Sequence, residues 1–225
     1  MNKKIISYLI VFLGIPAVVL LGNTVFSGVK YVWFMIAVSV LSTVPFVISF
    51  EKKEHSVTYL LLIAALTALS VMGRLIFVAV PAFKPVTAMV VITAVYFGPE
   101  AGFLTGAFSA LLSNFYFGQG PWTAFQMAAW GLIGFVIGLM RNRLKQSRAL
   151  LCVVGAVSGV VYSLVMDVWD AIFADGTVLW SRYVSFLATS APFTVIYAVS
   201  TLVFLLLLEK PIGKKLQRIK DKYGI

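Results

Sequence analysis

Apolar residues along this chain come in long blocks rather than in alternation. Blocks at about 5–22, 30–50, 57–80, 85–97, 100–117, 123–140, 149–173 and 184–208 are nearly free of charge. All but one approach or exceed the roughly 20 residues with which a helix crosses a hydrocarbon core of about 30 Å. The pattern predicts eight crossings. Pro81 and Pro85 bracket the turn "PAFKP", and "FGPE" at 97–100 places Pro99 and Glu100 in the first turn of the following helix. The block 85–97 has 13 residues, about 20 Å as a helix. Such a short element flanked by prolines either belongs to a site or is a helix extended by its turns.

Polar residues break the apolar pattern at one place above all. "SNFYFGQGPWTAFQMAAWG", residues 113–131, sets Asn114, Gln119 and Gln126 among Phe115, Phe117, Trp122, Phe125 and Trp130. Amides offer both donors and acceptors, and indoles offer flat stacking faces. Apolar walls with a few placed polar groups are what a ligand pocket needs. Gln126 and Trp130 are four apart and share a helical face, while Gly118, Gly120 and Pro121 suit a turn over the mouth. Arg74, Asp167 and Asp170 fall at similar depth in their helices. Ionisable residues inside a membrane face a cavity or one another, so Arg74 is expected to pair with Asp167 or Asp170 or to meet a ligand. Snorkelling of Arg74 to an aromatic belt is the plainer alternative. Phe83, Lys84 and Phe115 complete the candidate binding set.

Composition sharpens the class. The 225 residues are 61% hydrophobic and 12% charged, about half the charge of a soluble domain, so an all-α multi-pass membrane protein is expected. The start, "MNKKIISYLIVFLGIPAVVLLG", has the form of a signal peptide, but no A-x-A site follows, which favours a retained helix. The net charge of +10 is a topology signal rather than a nucleic-acid footprint. With the N-terminus in the cytoplasm, 14 of the 18 Lys and Arg residues lie inside and only Lys30, Lys84 and Arg182 lie outside. Both termini are then cytoplasmic, and the plasma membrane is the expected location. Cys152 and His55 are the only residues of their kinds, which excludes an internal disulfide and a cysteine- or histidine-built metal centre. No hydrolase motif and no phosphate-binding loop occurs, and Asp167 with Asp170 are the only candidates for acid–base work in an enzyme acting on lipid.

Small residues recur at four-residue spacing, at Gly102 and Gly106, Gly134 and Gly138, and Gly155 and Gly159, as close helix contacts in lipid require. The tail "EKPIGKKLQRIKDKYGI" places Ile212, Leu216, Ile219 and Tyr223 on one face with basic residues around it. It suits a helix on the cytoplasmic leaflet or against a partner. The expected organisation is a single membrane domain over 1–225: an N-terminal helix pair (1–50), a core (57–208) and a basic amphipathic tail (209–225).

The stretch 59–140, with "FKP", "FGPEAGF" and "FGQGPWT" followed by "QM" and "WG", resembles the S components of energy-coupling factor (ECF) vitamin transporters. The likeness covers about 57–208, the family's six-helix core, so the helices at 5–22 and 30–50 are additions to it. Ala64 and Ala68 match the family's A-x-x-x-A motif, whose alanines pack on a transmembrane coupling subunit (the T component). The resemblance implies capture of a vitamin at the outer face, with no intrinsic cofactor, and a complex with the T component and two ABC ATPases. The turn at 117–131 most resembles the cobalamin-type branch. Riboflavin, a queuosine precursor and pantothenate are the other substrates it leaves open.

Overall fold

The computed structural model describes Val25 and residues 29–51, 56–177 and 179–224. The block 5–22 and the patch holding Lys52, Lys53 and His55 lie outside the described residues. Among the described residues eight helices follow in order: α1 (Val29–Glu51), α2 (Val57–Ile76), α3 (Val86–Phe97), α4 (Pro99–Phe117), α5 (Trp122–Leu139), α6 (Arg141–Gln146), α7 (Arg148–Asp175) and α8 (Trp180–Tyr223). Of these, α2, α5, α7 and α8 are long and apolar enough to cross a membrane. The chain is an all-α multi-pass membrane protein.

The short block is the hub of the molecule. Every residue of α3 except Tyr96 is buried, as expected of a helix that is apolar on all sides. Helices α2, α4, α5 and α8 pack around it. Its 12 residues span only about 18 Å, so the turns at its ends reach into the body of the protein. The turn before it begins earlier than the sequence suggests, because α2 stops at Ile76 rather than near 80. Lys84 Nζ fastens that turn, donating to the carbonyls of Phe77 and Val80. Burial and the nearby Arg74 push this amine below the usual lysine range.

Glycines let α4 and α5 meet backbone to backbone. A Cβ on Gly134 would stand 2.3 Å from the Gly102 carbonyl oxygen, and one on Gly106 would stand 2.4 Å from that of Trp130. The same device joins α7 to α8, where a Cβ on Gly159 would lie 2.5 Å from the Tyr197 carbonyl oxygen. All three spaced pairs are therefore packing residues.

The tail takes an arrangement the sequence did not single out. Helix α8 runs unbroken for 44 residues through Pro192 and Pro211, and its last part folds against the chain's own core. Gly213 and Leu216 are buried there. Tyr96 Oη donates to Glu209 at 3.0 Å, and Lys220 Nζ donates to the Tyr96 carbonyl at 3.0 Å. Lys145 of α6 sits 5.2 Å above the Tyr96 ring, and burial holds its amine below the usual lysine range, with Lys220 and Arg141 adding to the effect. A Cβ on Gly213 would come within 2.0 Å of Tyr96 Oη. Gly213→Leu is therefore expected to lift the tail from Tyr96, and limited trypsin digestion should cut after Lys214 and Lys215 several-fold faster than in the parent.

Candidate functional site

At the end of the bundle away from the tail, α2, α4 and α5 share one polar network. Arg74 Nη1 donates to Ser113 Oγ (2.5 Å) and to Asn114 Oδ1 (2.9 Å). The Asn114 amide passes the chain on, donating to Thr123 Oγ1 (2.8 Å) and to Gln126 Oε1 (2.9 Å). Thr123 donates to Gln119 Oε1 at 3.0 Å, and Gln119 Nε2 ties back to the Leu111 carbonyl at 2.8 Å. Ser113 and Asn114 are buried, so each depends on these bonds for the polar partners that lipid cannot give. The guanidinium also lies 4.6 Å from the Phe117 ring centre and 5.3 Å from that of Trp130, a desolvated cation between two π faces.

Aromatic rings form the floor beneath that network. Trp130 stacks on Tyr162 with ring centres 4.3 Å apart and planes 6° from parallel. Its indole N–H donates to Thr87 of α3 at 3.1 Å. Tyr197 of α8 meets Tyr162 edge-on at 5.1 Å. On α7, Asp167 is buried and accepts from Ser190 Oγ at 2.8 Å, while Asp170, three residues along, is exposed. The stacked rings are themselves buried, and the half-buried Arg74 and the exposed Gln119 are the polar groups of the network nearest the surface. No group here is arranged for nucleophilic attack.

A family profile described as ECF-type riboflavin transporter, S component, matches residues 52–214. The chain belongs to that family of S components. Membership makes it a transporter component rather than an enzyme. A UPF0397 protein of Vibrio atlanticus (strain LGP32) is 33% identical over 102 residues, covering 41% of this chain. The S component spans 56% of that relative's length. No solved structure matches the chain.

The S component brings most of the sequence-nominated residues to one end but gives them different tasks. Arg74, Asn114, Gln119 and Gln126 form the network, and Trp130 forms the floor. Arg74 pairs with neither Asp167 nor Asp170, contrary to the first expectation. It sits on α2, which packs on α3 and α4, whereas the aspartates ride on α7, which packs chiefly on α5 and α8. Phe83 and Lys84 hold the turn before α3: the Phe83 ring lies 5.9 Å from Phe77 and 5.2 Å from Phe204. Phe115 is 74% exposed, and Trp122 covers Gly120. Ser113, Thr123, Tyr162, Ser190 and Tyr197 were missed. Ser113, beside Asn114, and Thr123, three residues before Gln126, carried a signal in the sequence, whereas Tyr162, Ser190 and Tyr197 sit on other helices than the residues they touch.

Burial separates the two tryptophans as test positions. Trp130 is 3% exposed and Trp122 is 36% exposed. Trp130→Ala should cost about 3–5 kcal/mol of stability through the cavity it leaves, read as a lowered melting temperature in detergent. Trp122→Ala should leave that temperature nearly unchanged. Loss of ligand affinity in Trp122→Ala would therefore report the mouth of the site free of any folding effect.

Proposed function

We propose that this S component captures a vitamin from the extracellular side and delivers it through a complex with a T component and two ABC ATPases. The observation that carries the reading is the Arg74–Asn114–Gln126 network over the Trp130–Tyr162 stack, set at the end opposite the basic residues. The positive-inside rule puts Arg141, Arg143, Lys145 and the tail lysines in the cytoplasm. The network then opens outward, where a scavenged nutrient arrives. Both termini, residues 1 and 225, face the cytoplasm of a cell whose plasma membrane holds the complex. Residues 57–208 form the binding core, with 1–50 as an N-terminal extension and 209–225 as a tail.

A second surface supports the coupling role. Ala64 and Ala68 are exposed along a groove of about 460 Å³ between α2 and α4, walled by Leu60, Met72 and Phe108. In lipid a surface of small side chains is useful chiefly for admitting another helix closely, which suits the T component. For the substrate, the sequence likeness nominates a cobalamin-type corrinoid and the family description nominates riboflavin. A queuosine precursor and pantothenate complete the set. Purified chain titrated with each compound, recording tryptophan quenching and visible absorbance, should give saturable binding to one of them. Saturable binding with copurification of an ATPase pair supports the reading. Absence of binding to every member of the set overturns it.

A further inference from the structure

Three cations converge on the cytoplasmic end of the hub helix α3. Lys145 of α6 holds its Nζ 5.2 Å from the Tyr96 ring centre. Lys220 of α8 donates to the Tyr96 carbonyl at 3.0 Å and lies 5.6 Å from the Phe97 ring centre. Arg141 lays its guanidinium over Gly98, where a Cβ would stand 2.8 Å from Nη1. Tyr96, Phe97 and Gly98 are consecutive, with Cα atoms about 3.8 Å apart, so α6 and α8 bring three charges to one spot. Among the described residues the ion pair that forms is Arg182 with Asp175, and none of these three cations has a carboxylate partner. Glu209 accepts from Tyr96 Oη and Asp221 from Gln217, while Glu100 in the first turn of α4 is beyond ion-pair distance of them. The negative end of a helix dipole is worth about half a charge, so α3 alone does not balance three. Burial lowers the amines of Lys145 and Lys220 below the usual lysine range, and the Arg141 guanidinium lowers both further. Arg141 and Lys145 are exposed, which leaves the cluster open to an incoming anion.

An apolar groove begins beside this cluster. About 420 Å³ in volume, it runs between α5 and α7 past Leu132, Val136, Val154 and Val161 and ends at Met140, the residue before Arg141. We propose that the cluster binds the phosphate of an anionic phospholipid of the cytoplasmic leaflet, whose acyl chain lies in the α5–α7 groove. A guanidinium fork with two ammonium groups suits a phosphate, and basic pockets between helices on the cytoplasmic side hold such headgroups. A free phosphate carries the same charge but has no use for the groove. Bound there, the lipid joins α6 to the tail of α8 across the end of α3. The inference rests on the orientation of the S component in the membrane and not on the vitamin site at the other end.

The test melts the full chain in dodecyl maltoside, followed by tryptophan fluorescence, with phosphatidylglycerol, phosphatidylcholine or glycerol 3-phosphate at equal phosphorus concentration. Phosphatidylglycerol should raise the melting temperature by about 3 °C or more above the other two, as a ligand of the folded state does. Arg141→Gln, Lys145→Gln and Lys220→Gln together should erase that difference. Removing as many charges from exposed tail positions, by Lys214→Gln, Lys215→Gln and Arg218→Gln, should keep it. Each variant is compared with itself across the three additives, so a cost of the substitutions to the fold does not enter. An equal rise with phosphatidylcholine would mean an effect of acyl chains alone, and an equal rise with glycerol 3-phosphate a free-anion site. Either overturns the proposal. So does a difference that survives in the cluster variant or is lost in the tail variant. No rise in the parent also overturns it and leaves an acidic partner surface as the occupant. Vitamin titration should be unchanged by all six substitutions, and its failure in the parent would remove vitamin capture without touching the lipid site.

Discussion

A double variant with Ala64→Trp and Ala68→Trp should abolish vitamin uptake and copurification with the ATPases. Vitamin binding by the isolated chain should stay within about twofold, because well-separated sites act independently. Both alanines are exposed on one face of α2, and Ala64 lies about 15 Å along the helix from Arg74. The hydrophobic effect gives helices in lipid little drive to associate, so contact depends on how closely backbones approach. Two indoles would fill the groove and hold a partner helix away, with no internal neighbour to disturb. Uptake and pull-down of the ATPases are to be measured beside ligand titration on the same preparation. Loss of binding together with uptake would mean that the alanines support the fold, and intact uptake would mean that no partner uses this face.

The largest effect on folding is expected at the α4–α5 seam. Gly134→Leu would force a side chain onto the Gly102 carbonyl, with the hypothetical Cβ already 2.3 Å from that oxygen. Neither backbone can yield without parting the helices. That would uncover Phe103 and Trp130, both buried at the seam. The expected outcome is loss of monodisperse protein on size-exclusion chromatography, whereas Gly118→Ala, in open space, should give a normal peak despite its positive φ. A cost above roughly 3 kcal/mol is in keeping with overpacking against rigid backbone. A normal elution profile for Gly134→Leu would show that α4 and α5 are not in this contact.

The helices were largely legible because the cost of burying polar backbone and charge in lipid writes itself into the sequence as uninterrupted apolar blocks. The predicted 123–140 and the observed α5 (Trp122–Leu139) differ by a single residue at each end. Block 85–97 was legible as an element but not as the hub. Lipid-facing and core-facing surfaces are both apolar in a membrane, so periodicity cannot tell them apart. Helix α6, six residues long, is too short to leave a period.

The site was legible to the extent that its members are expensive. Asn114, Gln126 and Arg74 stand out in an apolar helix whatever they touch. Tyr162 did not stand out, since a tyrosine in such a helix reads as an interfacial ring until its stack on Trp130 is seen. Which partner Arg74 takes depends on the rotation of α2 against α4, and four-residue spacing carries no information about that angle.

Helix α8 gives the molecule a mechanical property. It carries Ser190, bonded to Asp167, and about 30 residues later Lys220, bonded to the Tyr96 carbonyl, a separation of roughly 45 Å along the axis. Between those bonds it is fixed along its length, packed backbone to backbone on α7 at Gly159 and bonded through Ser200 to the Lys84 carbonyl, so it acts as a strut. Tilting it by about 5° around Ser190 would carry Lys220 some 4 Å, on a helix rising about 1.5 Å per residue, enough to part it from Tyr96. Such a tilt would also have to break the α7–α8 contact, so the helix ties the two ends of the bundle together, with Pro192 and Pro211 inside it.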